Sequence, residues 1–164
     1  MTTGSILIVR QSRDRLHSVL VARTWELGAH IEDIESVELI EHRTIEAGVT
    51  SARHVWRARP RVPQLLAPHV EADHFRWTAI VEWRDDHYDS RWRIEPHAVR
   101  QQVSCSAVVK LSEAMGGRAT RVIIDTSIEG LDGQTGVQAI AYRIVLVNWQ
   151  KLVEASVRRL ESQT

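Results

Sequence analysis

A chain of 164 residues is long enough for one domain, residues 1–164, that buries about 70% of the surface its unfolded form exposes, and too short for a second independent core. Lys plus Arg and Asp plus Glu stand at 21 each, so no global field recruits nucleic acid or an anionic membrane. One cysteine, Cys105, leaves no internal disulfide and fits a reducing compartment; no basic stretch and apolar core open the chain, and no segment reaches the roughly 18 apolar residues that span a bilayer, so the expectation is a cytoplasmic protein without membrane insertion.

In chain order, the apolar run Ile6, Leu7, Ile8, Val9 within Gly4 to Gln11 suits a first strand. Ser12 or Asp14 can cap a helix through Leu16, Val19, Leu20 and Trp25, which Gly28 breaks. A second short helical piece is expected around Ile31 and Ile34, then a strand through Val37, Leu39 and Glu41. Glu46, Ala47 and Gly48 form a turn into Thr50 to Ala58, a strand with His54, Trp56 and Ala58 on one face. Arg59 to Pro68 holds three of the four prolines and reads as an extended loop or a broken helix.

The next stretches alternate cleanly. Phe75, Trp77, Ala79, Val81 and Trp83 share one face, with Arg76, Thr78, Ile80 and Glu82 on the other. Asp85, Asp86, His87 and Tyr88 form a hairpin connection, and Trp92 and Ile94 then alternate with Arg91, Arg93 and Glu95. A strand from Val99 to Leu111 aligns Val103, Cys105, Ala107, Val109 and Leu111. Gly116 and Gly117 turn the chain into Ala119 to Ile128, where Val122, Ile124, Thr126 and Ile128 share a face.

From about residue 137 to 161 the pattern is one long helix, apolar around more than half its circumference. Val137, Ile140, Ala141, Ile144, Asn148, Leu152 and Ala155 fall on one side, and Tyr142, Leu146, Trp149, Val153, Val157 and Leu160 on nearly the opposite side. Arg143, Gln150, Glu154 and Arg158 fill the narrow polar remainder. A sheet can grip one apolar face; the second needs the first helix, loops or a second copy of the chain in a homodimer. On this reading Trp149 lies on the outer face, and Trp149→Glu yields a folded monomer.

This order of elements, one strand, two short helices, six further strands and a long C-terminal helix, resembles the START-like, or SRPBCC, superfamily, which includes the birch-pollen-allergen fold, polyketide cyclases and lipid-transfer domains. The resemblance extends to Trp92-Arg93-Ile94-Glu95-Pro96 and to Gly117-Arg118-Ala119-Thr120-Arg121-Val122 opening the last strand. Six strands stand out in the pattern against the family's seven. The resemblance implies an α+β helix-grip fold, a curved antiparallel sheet wrapped around the long helix, with an internal cavity for a hydrophobic or aromatic ligand and no invariant catalytic signature.

Six Trp against one Phe and two Tyr is an unusual balance, because indoles line cavities and rims better than they fill tight cores. Trp56, Trp77, Trp83 and Trp92 all lie on faces assigned inward. Arg and Lys neighbour them in sequence, but pleating sends adjacent residues to opposite faces, so the alternation describes an amphipathic sheet rather than a stacking platform for nucleic acid. His69 and His74 lack metal-site partners, the acidic Asp85 to Asp89 knot lacks the glycine of a calcium loop, Gly116-Gly117 lacks the lysine of a phosphate loop, and Cys105 sits mid-strand on an apolar face without a nucleophile's setting. No metal or cofactor is expected.

The leading expectation is therefore binding of a hydrophobic small molecule of lipid, polyketide or isoprenoid type between sheet and helix. Its contacts would come from Trp56, Trp77, Trp83, Trp92 and Cys105, with His54, Thr126, Tyr142 and Asn148 as inward polar groups. A polyketide cyclase or aromatase with His54 or Tyr142 as proton carrier is the enzymatic alternative, and a protein-interaction module using the surplus helix face is the third.

Overall fold

The computed structural model describes residues 2–59, 72–97, 104–129 and 136–163, with the side chains of 2, 3, 72, 74, 128 and 136–148 outside the description. Seven strands alternate with two helices: β1 (Thr2–Val9), α1 (Arg13–Gly28), β2 (Ile34–Glu46), β3 (Val49–Ala58), β4 (Arg76–Arg84), β5 (Asp89–Pro96), β6 (Ser104–Ala114), β7 (Ala119–Glu129) and α2 (Gly136–Glu161). The strands form one antiparallel sheet in the order β1-β7-β6-β5-β4-β3-β2. Among the described residues the sheet has seven strands, the number that the resemblance implies. The prolines from residue 60 onward and the start expected for β6, including Val99 and Val103, lie outside the described residues.

Each element follows from its local chemistry. Ser12 caps α1 by accepting from the Arg15 backbone N–H at 3.3 Å, and Asp14 meets the positive end of the helix dipole. Arg23 leaves helical geometry at φ −140°, ψ 17°, one residue before Thr24, whose hydroxyl bonds back to the Leu20 carbonyl; such back-bonding bends helices. The helical piece expected around Ile31 and Ile34 is a run of turns that ends where β2 starts. There the Ile31 and Ile34 N–H groups donate to Gly28 and Ile31, and both isoleucines are buried as anchors. Gly116 and Gly117 turn β6 into β7 at φ +67° and +88°, values that glycine adopts without strain.

Period-two burial is regular in the middle of the sheet. Ala52, His54, Trp56 and Ala58 of β3, Trp77, Ala79, Val81 and Trp83 of β4, Trp92 and Ile94 of β5, and Cys105, Ala107, Val109 and Leu111 of β6 all face inward and are buried. Arg91 and Arg93 face solvent between them. The pleat thus separates each tryptophan from its basic neighbour.

In the described half of α2, Trp149, Leu152, Val153, Ala155 and Leu160 are all buried, and α1 packs against this helix. In this described half the outer apolar face is thus covered by α1 within the monomer, without a second copy; the expected homodimer contacts at Tyr142 and Leu146 fall on side chains outside the description. Trp149 is also not outward. It lies three positions from Leu152, hence beside it on the helix surface, and its indole reaches across to the sheet, 3.8 Å from the ring centre of Trp92. Trp149→Glu would bury a charge rather than free a surface.

Candidate ligand site

Between the sheet and α2 lies a hollow walled by four indoles, Trp56, Trp77, Trp92 and Trp149, with Ala79, Ile94 and Leu152 filling the gaps. The strand register makes this wall. Trp56 of β3 stands directly opposite Trp77 of β4, and the two rings stack at 5.9 Å and 13°. Ala79 lies opposite both His54 and Ile94, and its small side chain leaves the space beneath them open. Trp92 meets Trp83 edge to face at 5.7 Å, the arrangement that ring quadrupoles favour, and Trp149 stands nearly perpendicular to it.

His54 packs against two of these indoles. It is fully buried, with its ring 6.1 Å from Trp56 and 5.8 Å from Trp92. The indole N–H of Trp56 donates to His54 Nδ1 at 3.2 Å. That contact fixes the neutral tautomer, with the ring proton on Nε2, and Nε2 is buried without a hydrogen-bond partner among the described residues. Burial, assisted by the charge of His42, pulls the His54 pKa down to about 4, so at neutral pH the ring is an uncharged donor. Trp92 uses the same i, i−2 device: its N–H donates to Ser90 Oγ at 2.8 Å, which pins the ring.

The hollow is narrow. The space open to the centre of a water-sized sphere is about 20 Å³, on the order of one water molecule. Its wall is tight on the α1 side too, because Gly28 rests directly on Trp56: a Cβ at Gly28 would come within 2.3 Å of the indole. Glycine at this position serves close packing rather than a turn.

Of the residues expected to contact a ligand, Trp56, Trp77 and Trp92 stand in the wall and His54 touches two of them. Trp83, Cys105 and Thr126 are inward and buried but do not belong to this wall. Trp83 packs toward α1, 6.0 Å from His17. The side chains of Tyr142 and Asn148 lie outside the described residues. Sequence reasoning missed Trp149, which a 3.6-residue projection places at the near border of the outer arc, one helical ridge from Leu152.

A second polar cluster closes the opposite end of the sheet. Asp89, 4% exposed, takes two hydrogen bonds from the Arg84 guanidinium, one of them 2.7 Å from Nε, which hold its carboxyl below the usual aspartate range. His17 Nε2 meets Asp85 Oδ1 at 2.9 Å. The Arg13 guanidinium lies 3.8 Å over the Tyr88 ring, and the bond from the Tyr88 hydroxyl to Asp14 pushes that phenol's pKa up.

No protein-family model and no curated protein matches the chain. Solved structures do. The crystal structure of TTHA0849 from Thermus thermophilus aligns over 100% of this chain and 99% of that chain, with TM-score 0.67 and 13% identity. Ara h 8.0201 aligns over 99% and 98%, with TM-score 0.66 and 14% identity. The Zhui aromatase/cyclase from Streptomyces sp. R1128 aligns over 98% and 93%, with TM-score 0.66 and 14% identity. Likeness at such low identity is a likeness of fold, and no helix among the described residues is long and apolar enough to cross a membrane. With seven antiparallel strands curved around one long C-terminal helix, this chain has the helix-grip fold of the START-like proteins.

Proposed function

We propose that the domain binds a flat or slender hydrophobic molecule of lipid, polyketide or isoprenoid type, carrying one hydrogen-bond acceptor, between the concave sheet and α2. The observation that carries this reading is His54 Nε2, a buried donor without a partner among the described residues, on a ring that packs against two indoles of the hollow, Trp56 and Trp92. A buried donor left unmatched costs about 1–3 kcal/mol; a ligand carbonyl or ether oxygen would recover it. Trp56, Trp77, Trp92 and Trp149 would supply the apolar contact, with Trp83, Cys105 and Thr126 backing the wall. Drug-sized ligands fill about 300–1,000 Å³, far more than the hollow now offers, so entry requires the indoles or α2 to shift.

Binding is favoured over a cyclase reaction by the state of His54. A general base works best with a pKa near the operating pH, and a group held at about 4 is a poor proton acceptor at pH 7 but a sound neutral donor.

Native mass spectrometry against a panel of lipids, aromatic polyketides and isoprenoids, paired with tryptophan fluorescence, tests this. Ligands with a carbonyl should bind, shift the emission and lose about 5- to 150-fold in affinity with His54→Leu, the equivalent of 1–3 kcal/mol. Hydrocarbon analogues should bind both proteins alike. Equal loss for both ligand classes would remove the hydrogen bond from the reading, and turnover of a poly-ketone abolished by His54→Leu would replace binding with catalysis.

A further inference from the structure

The two edges of the sheet are built in opposite ways. β2 breaks its register with β3 at three places, between Ile34 and Ser36, Leu39 and Glu41, and Thr44 and Glu46, and carries Glu35, Glu38, Glu41, Arg43 and Glu46. Bulges and charges are the means by which edges resist pairing with other chains. β1 has neither. Its eight residues, TTGSILIV, hold unbroken register with β7 from Thr2 opposite Ser127 to Val9 opposite Thr120. None is charged and none is proline. Ile6 and Ile8 stand 67% and 54% exposed, and among the described residues no strand pairs with the outer side of β1.

We propose that β1 pairs antiparallel with β1 of a second copy of this chain, about a two-fold axis at Leu7, joining two seven-stranded sheets into one. Residues directly opposite in an antiparallel pair share a face. With Leu7 opposite its own counterpart, Ile6 of each copy meets Ile8 of the other on the convex face, and the exposed isoleucines cover one another. Arg10 lies one residue past the end of β1, and continued by that one residue the same register sets Arg10 of one copy opposite Gly4 of the other.

That last pairing identifies the occupant. Gly4 has no side chain, and Asp125, its partner on β7, leans over it: a Cβ on Gly4 would lie 3.2 Å from Asp125 Oδ1. Arg10 and Asp125 are both exposed. The open place above Gly4 therefore lets Arg10 of the second copy reach the Asp125 carboxylate, and symmetry forms the ion pair twice. A second copy carries its own cation to this position, whereas another strand would need a Lys or Arg at the same register. Because the β2 edge is guarded by bulges and charge, pairing closes at two copies.

An edge contact of this length falls at the small end of specific interfaces, so the dimer should be reversible. Sedimentation velocity on the full chain, from about 1 to several hundred micromolar, should show monomer converting to dimer. Ile6→Lys, Arg10→Glu and Asp125→Arg should each leave a folded monomer by circular dichroism, with association weakened about tenfold or more, the first by setting a charge against Ile8 of the other copy and the other two by like-charge contact. The double variant Arg10→Glu with Asp125→Arg reverses both charges and should restore the dimer. A wild type that stays monomeric throughout would overturn the proposal, as would a dimer indifferent to all three substitutions, a double variant that stays monomeric, or growth beyond two copies.

Discussion

Each end of the sheet interior holds one buried histidine with one ring nitrogen matched and the other without a partner, and the two are wired in opposite senses. At the hollow, His54 accepts an indole N–H on Nδ1, so its unmatched Nε2 is a donor. At the hairpin end, His17 turns Nε2 toward the Asp85 carboxylate, so its unmatched Nδ1 is an acceptor. An acceptor on a ring packed against Trp83 and Tyr88, whose other nitrogen is already bonded to a carboxylate, is filler in a packed corner. A donor on a ring between two indoles of the hollow, Trp56 and Trp92, has no such match and carries the proposed ligand contact. The same residue type thus marks a structural corner in one place and a candidate site in the other, and the neighbour that sets the tautomer decides which.

Removing the wall of the hollow should do the most damage. Trp149→Ala should cost about 3–5 kcal/mol in chemical denaturation, because the indole closes the space between α2 and Trp92. A loss below about 1 kcal/mol would mean that this ring is not packed as described.

Acid acts next, through His54. With a folded pKa near 4 against about 6.5 in the unfolded chain, His54 leaves the unfolded state binding a proton that the folded state refuses. Stability is then fully present above pH 6.5 and drains as pH falls toward 4, by about 3 kcal/mol at most. His54→Leu should flatten this limb although it lowers stability at neutral pH, since Trp56 loses its acceptor. An unchanged slope in the variant would assign the loss to other groups.

At the hairpin end, Arg84→Ala should lower stability in chemical denaturation by leaving the buried Asp89 carboxylate without its charged donor. Asp89 is held below its ordinary pKa, so its contribution is present above the usual aspartate range and is lost as pH falls through the folded value. In Arg84→Ala that loss should begin at higher pH. The smallest effect belongs to Asp85→Asn. Asp85 is about half exposed, so its pair with His17 is screened and its removal should cost no more than about 1 kcal/mol.

Much of this arrangement is legible in the sequence, because period-two alternation and helix caps are local signals. The inward faces of β3 to β7, the cap at Ser12, the hairpin at Asp85 to Tyr88 and the extent of α2 all follow from them. Three features do not. The turn at Ile31 and Ile34 mimics a helical spacing because two buried anchors happen to fall three residues apart. The reach of Trp149 depends on side-chain length across a helix border, which an angular projection ignores. The His54 tautomer depends on which way the Trp56 indole lies, and no spacing rule encodes ring orientation.

Gly28 gives the hollow a mechanical consequence. With no Cβ between its backbone and the Trp56 indole, nothing compressible separates the end of α1 from the wall of the site. A ligand that tilts Trp56 by even a fraction of an ångström pushes main chain, and that push enters α1 below the irregular turn at Arg23, where the helix is already free of ideal geometry and bends most cheaply. Occupancy of the interior should therefore be read on the outside of the molecule as a change in amide exchange between Thr24 and Ile31, the segment that acts as a lever for the ring beneath it.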